Sequence, residues 1–302
     1  MKFMNYIFSE RSKARLDELT NKVNSELECI KNTALDKAGK QSDIVNAMWY
    51  SVSAGGKRIR PALVLEFCRI CGGDEEKALP AACALEMIHT FSLIHDDLPC
   101  MDDDDMRRGK PSCHKAYSEA AALLAGDTLL NMAYEIICGG NNTAEVKLSL
   151  ISELSAATGV NGMIGGQVID TLYDGEITEK SLLDMYNMKT GALLKCACKM
   201  GCIVAGVEKA RLDHAGRYAE SLGLAFQIKD DILDILGNEK LLGKPVGSDE
   251  KSGKLTYASL IGVKKSREMA EQLTNKALAE LDAFEDNEFL RELTIYLLKR
   301  ES

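Results

Sequence analysis

The sequence is poor in proline and aromatic residues. Its 302 residues hold five prolines and one tryptophan, and Phe, Tyr and Trp together make up 6%. With Ala, Leu, Lys and Glu plentiful, that scarcity favours helices over strands and turns. Positive charge is also short: 37 Lys and Arg against 46 Asp and Glu leave a net charge of −9. That argues against the basic face of a nucleic-acid binder, although metal ions allow an acidic protein to hold an acidic ligand. Cys68 and Cys71 form a CxxC with no second pair nearby, which weakens a zinc reading. The ten cysteines, among them Cys83, Cys138, Cys196, Cys198 and Cys202, fall mostly in apolar helical stretches. They read as buried free thiols of a cytoplasmic protein. The opening "MKFMNYIFSERSKARLDEL" shows no long apolar run or small-residue cleavage site, so no signal peptide is expected. No uncharged apolar run of about 20 residues stands out, so no membrane span is expected. No linker, repeat or low-complexity tract divides the chain, and residues 1–302 read as one domain.

What is present is helical periodicity. Residues 15–35 space their apolar positions as a helix does. A break at Gly55-Gly56 follows 41–54, and Pro61 suits the first turn of the next helix. Residues 79–95 are apolar nearly all round and predict a buried helix. Residues 118–137 are similar, with Ser118 as N-cap. Further helices are expected over 145–158, 161–172, 178–205, 208–236, 257–282 and about 288–300. The stretch 237–254, rich in glycine and lysine, reads as a basic loop. The class is all-α with an apolar centre.

Acid is concentrated in "HDDLPCMDDDDMRRGKP", residues 95–111. Asp96 and Asp97 end the apolar helix. Asp102 lies six residues past Asp96, roughly 240° around an ideal helix, so only a break would reunite them. Pro99 supplies one. A second cluster, "DDILD", puts Asp230 and Asp234 at i and i+4 on one helix face with Asp231 beside them. Alone, either cluster is equally a solvated helix end. If the two helices pack side by side, their carboxylates require cations, and oxygen ligands select hard ones such as Mg²⁺.

Basic residues stand ready for an anion. "GGKRIRP" sets Lys57, Arg58 and Arg60 at a glycine-rich helix start next to Gly56, a phosphate-binding arrangement. Arg107 and Arg108 directly follow the acidic run. His89 is two helical turns before Asp96 and near the same face, where a satisfied core histidine and a ligand-binding one are equally open. Lys189 and Thr190 interrupt a helix, Gln227 lies one turn before Asp230, and Lys244 and Lys254 fall in the basic loop. Asp127, Gln167 and Asp170 are polar groups in apolar helices that need buried partners. Two cationic sets, two acidic helix ends and an apolar interior point to ligands that join a diphosphate to an apolar tail.

These motifs resemble, in order and over essentially the whole chain, those of the trans-polyprenyl diphosphate synthases, specifically the bacterial short-chain, farnesyl type. "DDLPCMDDDDMRRGKP" and "FQIKDDILD" resemble the two aspartate-rich motifs, and "GGKRIRP", "MIHTFSLIHDD", "GGQVID", "MKTGALL" and "LGKPVGSD" fall in the family's order. The resemblance implies an isoprenoid synthase bundle of ten or more helices around a deep apolar cavity. It implies three Mg²⁺ ions, replaceable by Mn²⁺, on Asp96, Asp97, Asp102, Asp230, Asp231 and Asp234. Arg107, Lys189, Lys244 and Lys254 would bind the allylic diphosphate, with Thr190 and Gln227 offering dipoles to its cation. Gly56, Lys57, Arg60, His89 and Arg108 would bind isopentenyl diphosphate. The implied partners are small diphosphates, with no nucleic acid, and a second copy of the chain in a homodimer. In the family, the residue five before the first aspartate floors the pocket. Here it is Phe91, with Ser92 beside it, and a ring there implies a fifteen-carbon product. Geranyl or geranylgeranyl diphosphate is the alternative product. A terpene cyclase fits less well because it needs one diphosphate site, and a non-catalytic subunit fits less well because both aspartate motifs are intact. A di-iron bundle would need a second Glu-x-x-His beside Glu86–His89. Lys229, where glutamine is common, Met106 and Ala258 depart from the family pattern without removing a motif ligand.

Overall fold

Proline scarcity translates into long helices. The computed structural model describes residues 8–236 and 255–299. Its helices are α1 (Glu10–Lys37), α2 (Ser42–Val52), α3 (Ile59–Ile70), α4 (Glu75–Asp96), α5 (Cys113–Ala116), α6 (Glu119–Gly139), α7 (Ala144–Thr158), α8 (Met163–Leu172) and α9 (Glu179–Tyr186). A π-helical turn, Asn187–Gly191, joins α9 to α10 (Ala192–Ala205). Then follow α11 (Lys209–Leu236), α12 (Tyr257–Ile261), α13 (Val263–Glu280) and α14 (Glu288–Lys299). The chain is all-α, apart from one small antiparallel ribbon in which Met106 and Arg107 pair with Pro111 and Lys110.

Local chemistry sets the helix starts. Ser118 caps α6 by accepting from the Ala121 amide, as its position suggested. Asp74 does the same for the Glu76 amide, which starts α4 at Glu75, ahead of the apolar run itself. The helix expected over 178–205 is broken by the π turn. The one expected over 257–282 splits at Gly262, whose φ of +89° few other residues adopt. The ribbon was not anticipated. Its turn places Arg108 and Gly109 at positive φ, the pairing a tight hairpin demands.

Helix α4 is the axis. It is buried on almost every side and packs against α3, α6 and α10. By length and hydropathy α4 and α6 would both pass for membrane spans, which the sequence reading did not foresee. For α4, 72% of the apolar stretch is buried inside the bundle, against 33% for α6. The two aspartate-bearing helices, α4 and α11, do not pack side by side as supposed. Helix α10 lies against both, and they hardly touch. All ten cysteines are free, but Cys29, Cys100 and Cys138 are exposed. Asp127 also faces out, with its side chain 58% exposed.

Candidate active site

The C-terminal end of α4 delivers the first acidic motif. The chain leaves the helix at Asp97 and doubles back, so that the Asp102 amide donates to the Asp96 carbonyl at 2.9 Å. That backbone bond, with Met101 and Asp103 both donating to the Leu98 carbonyl, undoes the rotation that would separate Asp96 from Asp102 on a continuous helix. Burial, reinforced by Asp102 and opposed by Lys189, pushes the Asp96 carboxyl up to about 6. Two crowded carboxylates, one partly desolvated, form an oxygen donor set that suits a hard divalent cation. Asp97 is in a different situation. It is 2% exposed, and its Oδ1 accepts from Arg107 Nε at 2.9 Å and from Arg107 Nη2. Arg107 also holds Asp104 at 3.1 Å.

A cationic pocket lies where α3 begins. Gly55 and Gly56 take φ of +96° and +124°, and a side chain at Gly56 would meet the Arg108 guanidinium at 3.0 Å. Arg108 donates to the Gly55 carbonyl from there, so the two basic motifs, far apart in sequence, share one surface. Arg58 turns into the core instead: Nη1 holds Glu86 at 2.5 Å, Nη2 donates to Val52 O, and Nε donates to Asn24 at 3.0 Å. Glu86 is thereby taken. Arg60 Nε is buried and, among the described residues, has no hydrogen-bond partner, and burial together with Arg108 lowers the Arg60 pKa. His89 is held neutral, well below the usual imidazole range, by burial and by Arg60 and Arg108. The pocket therefore gathers more positive charge, on Arg60 and Arg108, than Glu86 neutralises through Arg58, an arrangement that favours an anion. Lys57 is exposed, with Nζ 5.7 Å from the centre of the Tyr296 ring.

Across the bundle, the π turn carries the third set. Helix α8 crosses it so closely that a side chain on Gly166 would strike the Lys189 backbone nitrogen at 2.3 Å. The glycine pair of "GGQVID" therefore serves close packing. The approach lets Asp170 reach Lys189 Nζ at 2.6 Å. Thr190 Oγ1 donates to Gln227 Oε1 at 3.1 Å, and Gln227 Nε2 lies 3.4 Å from Asp231. Asp231 is buried and already engaged: Oδ2 accepts from Tyr186 Oη at 2.7 Å and from the Tyr257 amide at 2.9 Å. Those bonds tie α9, α11 and α12 together. Asp234 is buried as well, while Asp230 is half-buried. Lys244 and Lys254 lie outside the described residues.

Between these sets runs a cavity of about 580 Å³. Arg60, His89, Asp96, Lys189 and Thr190 line its polar end, and Phe91, Ser92, Leu123, Met163, Ile164, Val168 and Leu172 line the rest. Phe91 is 5% exposed and packs edge-on against His95 at 5.6 Å. Ser92 Oγ is turned back to the His89 carbonyl at 2.9 Å. Gln167 also lines the cavity, and its Nε2 has no hydrogen-bond partner among the described residues. The sequence marked an interruption at Lys189 and Thr190 but not its π-helical form, and left Arg58 out of the expected diphosphate ligands without showing that it pairs with Glu86. Arg58 itself takes a φ of +47°, next to Gly55 and Gly56 at positive φ.

An all-α bundle in which Arg60, His89, Asp96 and Lys189 meet at the polar end of one apolar cavity has the makings of a site for apolar diphosphates. The polyprenyl synthetase family model matches residues 41–294, and the chain belongs to that family. It is 46% identical over 252 residues to a geranylgeranyl diphosphate synthase of Cyanophora paradoxa, covering 82% of this chain and 84% of that one. It is 42% identical over 284 residues to the heterodimeric geranylgeranyl pyrophosphate synthase large subunit 1, chloroplastic, of Arabidopsis thaliana, covering 90% and 76%. Among solved structures, it is similar to an apo FPP/GFPP synthase from Zymomonas mobilis, with a TM-score of 0.83, 35% identity, and coverage of 94% of this chain and 99% of the other.

Proposed function

We propose that the chain is a short-chain trans-prenyltransferase that joins isopentenyl diphosphate to dimethylallyl or geranyl diphosphate and releases farnesyl diphosphate. One observation carries this reading. The arginine-rich pocket and the Asp96–Asp102 loop open on the same apolar cavity, so two diphosphates are held with their hydrocarbon ends together. Arg60, Arg108, Lys57 and neutral His89 bind isopentenyl diphosphate. Asp96 and Asp102 would hold Mg²⁺ for the allylic diphosphate, and Asp230 would hold a further ion. Asp97 acts through Arg107, and Asp231 and Asp234 serve the packing of α11. Bound Mg²⁺ supplies Lewis-acid stabilisation of the negative charge on the departing diphosphate. Lys189 and Arg107 add fixed positive charge at the same place. The apolar walls exclude water from the allylic cation, and the Thr190–Gln227 pair offers it oxygen dipoles. Attack by the isopentenyl double bond forms the new carbon–carbon bond. The proton lost in the final elimination passes to the released pyrophosphate.

Phe91 sets the length. It lies about 7–8 Å from Asp96 along α4, with its ring walled by His95. The names of the relatives favour a second reading, a twenty-carbon geranylgeranyl product. One experiment separates the two. Purified chain, Mg²⁺, isopentenyl diphosphate and dimethylallyl or geranyl diphosphate are incubated, and products are sized by chromatography. A C15 product that lengthens in Phe91→Ala supports the farnesyl reading. A C20 product from the unaltered chain overturns the farnesyl assignment, and no condensation from folded protein overturns prenyl transfer itself. The same reading takes residues 1–302 as one domain of a cytoplasmic homodimer.

A further inference from the structure

The loop after the first aspartate motif holds three polar groups that prenyl transfer leaves unused. Asp103, Asp105 and His114 bring two carboxylate oxygens and an imidazole nitrogen within 4.8 Å of one another. The two aspartates are exposed, whereas His114 is only 7% exposed. Its Nδ1 shares a hydrogen bond of 3.1 Å with Ser112 Oγ. The nitrogen left for a ligand is Nε2, which is buried and, among the described residues, has no hydrogen-bond partner. An orphaned buried nitrogen is costly, and a hydrogen bond at the opposite ring nitrogen is how metal-binding histidines are oriented.

We propose that Asp103, Asp105 and His114 form a site for a divalent transition-metal ion of the Zn²⁺, Co²⁺ or Mn²⁺ class, separate from Asp96 and Asp102. The imidazole selects against Mg²⁺, which demands oxygen ligands. Three protein ligands leave at least one position for water. Ligands each about 2.1 Å from one ion lie no more than roughly 4.2 Å apart, so the trio closes slightly on binding, which two exposed aspartates permit. Lys115 Nζ, 2.8 Å from Asp105, is the cation to be displaced. Asp103 and Asp105 precede the ribbon and His114 follows it, so the ion ties the base of the hairpin that carries Arg107 and Arg108. The site stands whether or not the chain transfers prenyl groups.

Equilibrium dialysis of the full chain against Co²⁺ in excess Mg²⁺, without diphosphate, tests it, with visible absorption reporting the ligand set. One Co²⁺ per chain is expected, retained in Asp96→Asn/Asp102→Asn. Asp103→Asn/Asp105→Asn, which alters only exposed side chains, should weaken it at least about tenfold. His114→Gln should do the same with an unchanged far-ultraviolet circular dichroism spectrum. Unaltered Co²⁺ binding in Asp103→Asn/Asp105→Asn overturns the proposal, as does loss of Co²⁺ in Asp96→Asn/Asp102→Asn or its displacement by Mg²⁺.

Discussion

Arg58 and Arg60 sit two residues apart at the start of one helix and do opposite things. Arg58 is 5% exposed and neutralises Glu86, itself 3% exposed. Arg58→Met leaves a buried carboxylate without its partner, a change that typically costs about 3–5 kcal/mol, so it should lower the denaturation midpoint severely. Arg60 has no carboxylate of its own, and burial lowers its pKa. Arg60→Met should leave thermal stability near or above that of the unaltered chain while raising KM for isopentenyl diphosphate by at least about tenfold. Steady-state kinetics and thermal melts on the pair check both expectations. The acidic residues divide in the same way. Asp96→Ala and Asp230→Ala should cut turnover by about 10²-fold or more, because each removes charge stabilisation of a transition state, with little loss of folding. Asp231→Ala should cost stability instead, because Tyr186 Oη and the Tyr257 amide lose a shared acceptor.

At the scale of elements, the joints between helices carry the pH response. Glu280, at the end of α13, accepts from Arg217 Nε at 3.0 Å on α11 and lies 2.7 Å from His214 Nδ1. Burial raises its pKa, but the Arg217 and His214 hydrogen bonds outweigh burial and leave it below the usual glutamate range. A carboxylate depressed in the folded state contributes stability above its unfolded pKa of about 4.3, and that stability is lost as pH falls through the lower folded value. Glu280→Gln should therefore lower Tm by roughly 2–4 °C at neutral pH, and the difference should close on acidification below about pH 4. Scanning calorimetry over that range checks it. Most of these elements were legible in the sequence, because helix periodicity and caps such as Ser118 are local signals. The Asp96 and Asp102 pairing was legible as a need, since Pro99 marks a break, but the backbone bond that meets it was not. The π turn was foreshadowed only by polar Lys189 and Thr190. Nothing local announces it, because it exists to fit α8 across Gly166, a contact between distant segments. For the same reason the burial of Arg58 and the placement of α10 between α4 and α11 escaped the sequence: both are decided by packing rather than by propensity.

At the scale of the whole molecule, several large apolar side chains face outward. On α6, Leu123 and Leu124 are 46% and 51% exposed, and just before and within α8 Val160, Val168 and Leu172 reach 75%, 47% and 73%. The contrast with α4, which has similar hydropathy, lies in burial: α6 packs against α2, α4, α5 and α7 and leaves much of its apolar stretch exposed. Leu123, Val168 and Leu172 share the cavity lining, and exposed apolar surface beside it is where a second copy would be expected to dock. In a homodimer such a surface is self-complementary, so one substitution acts twice. A partner covering it would close the outer wall behind the hydrocarbon tail. The unaltered chain, 33.0 kDa, should sediment at twice that mass. Leu124→Arg, outside the cavity lining, should shift it toward the single-chain mass, and products should become shorter or fewer as water reaches the cavity. Sedimentation equilibrium at several concentrations decides the matter, and a single-chain mass for the unaltered protein throughout would reject the dimer.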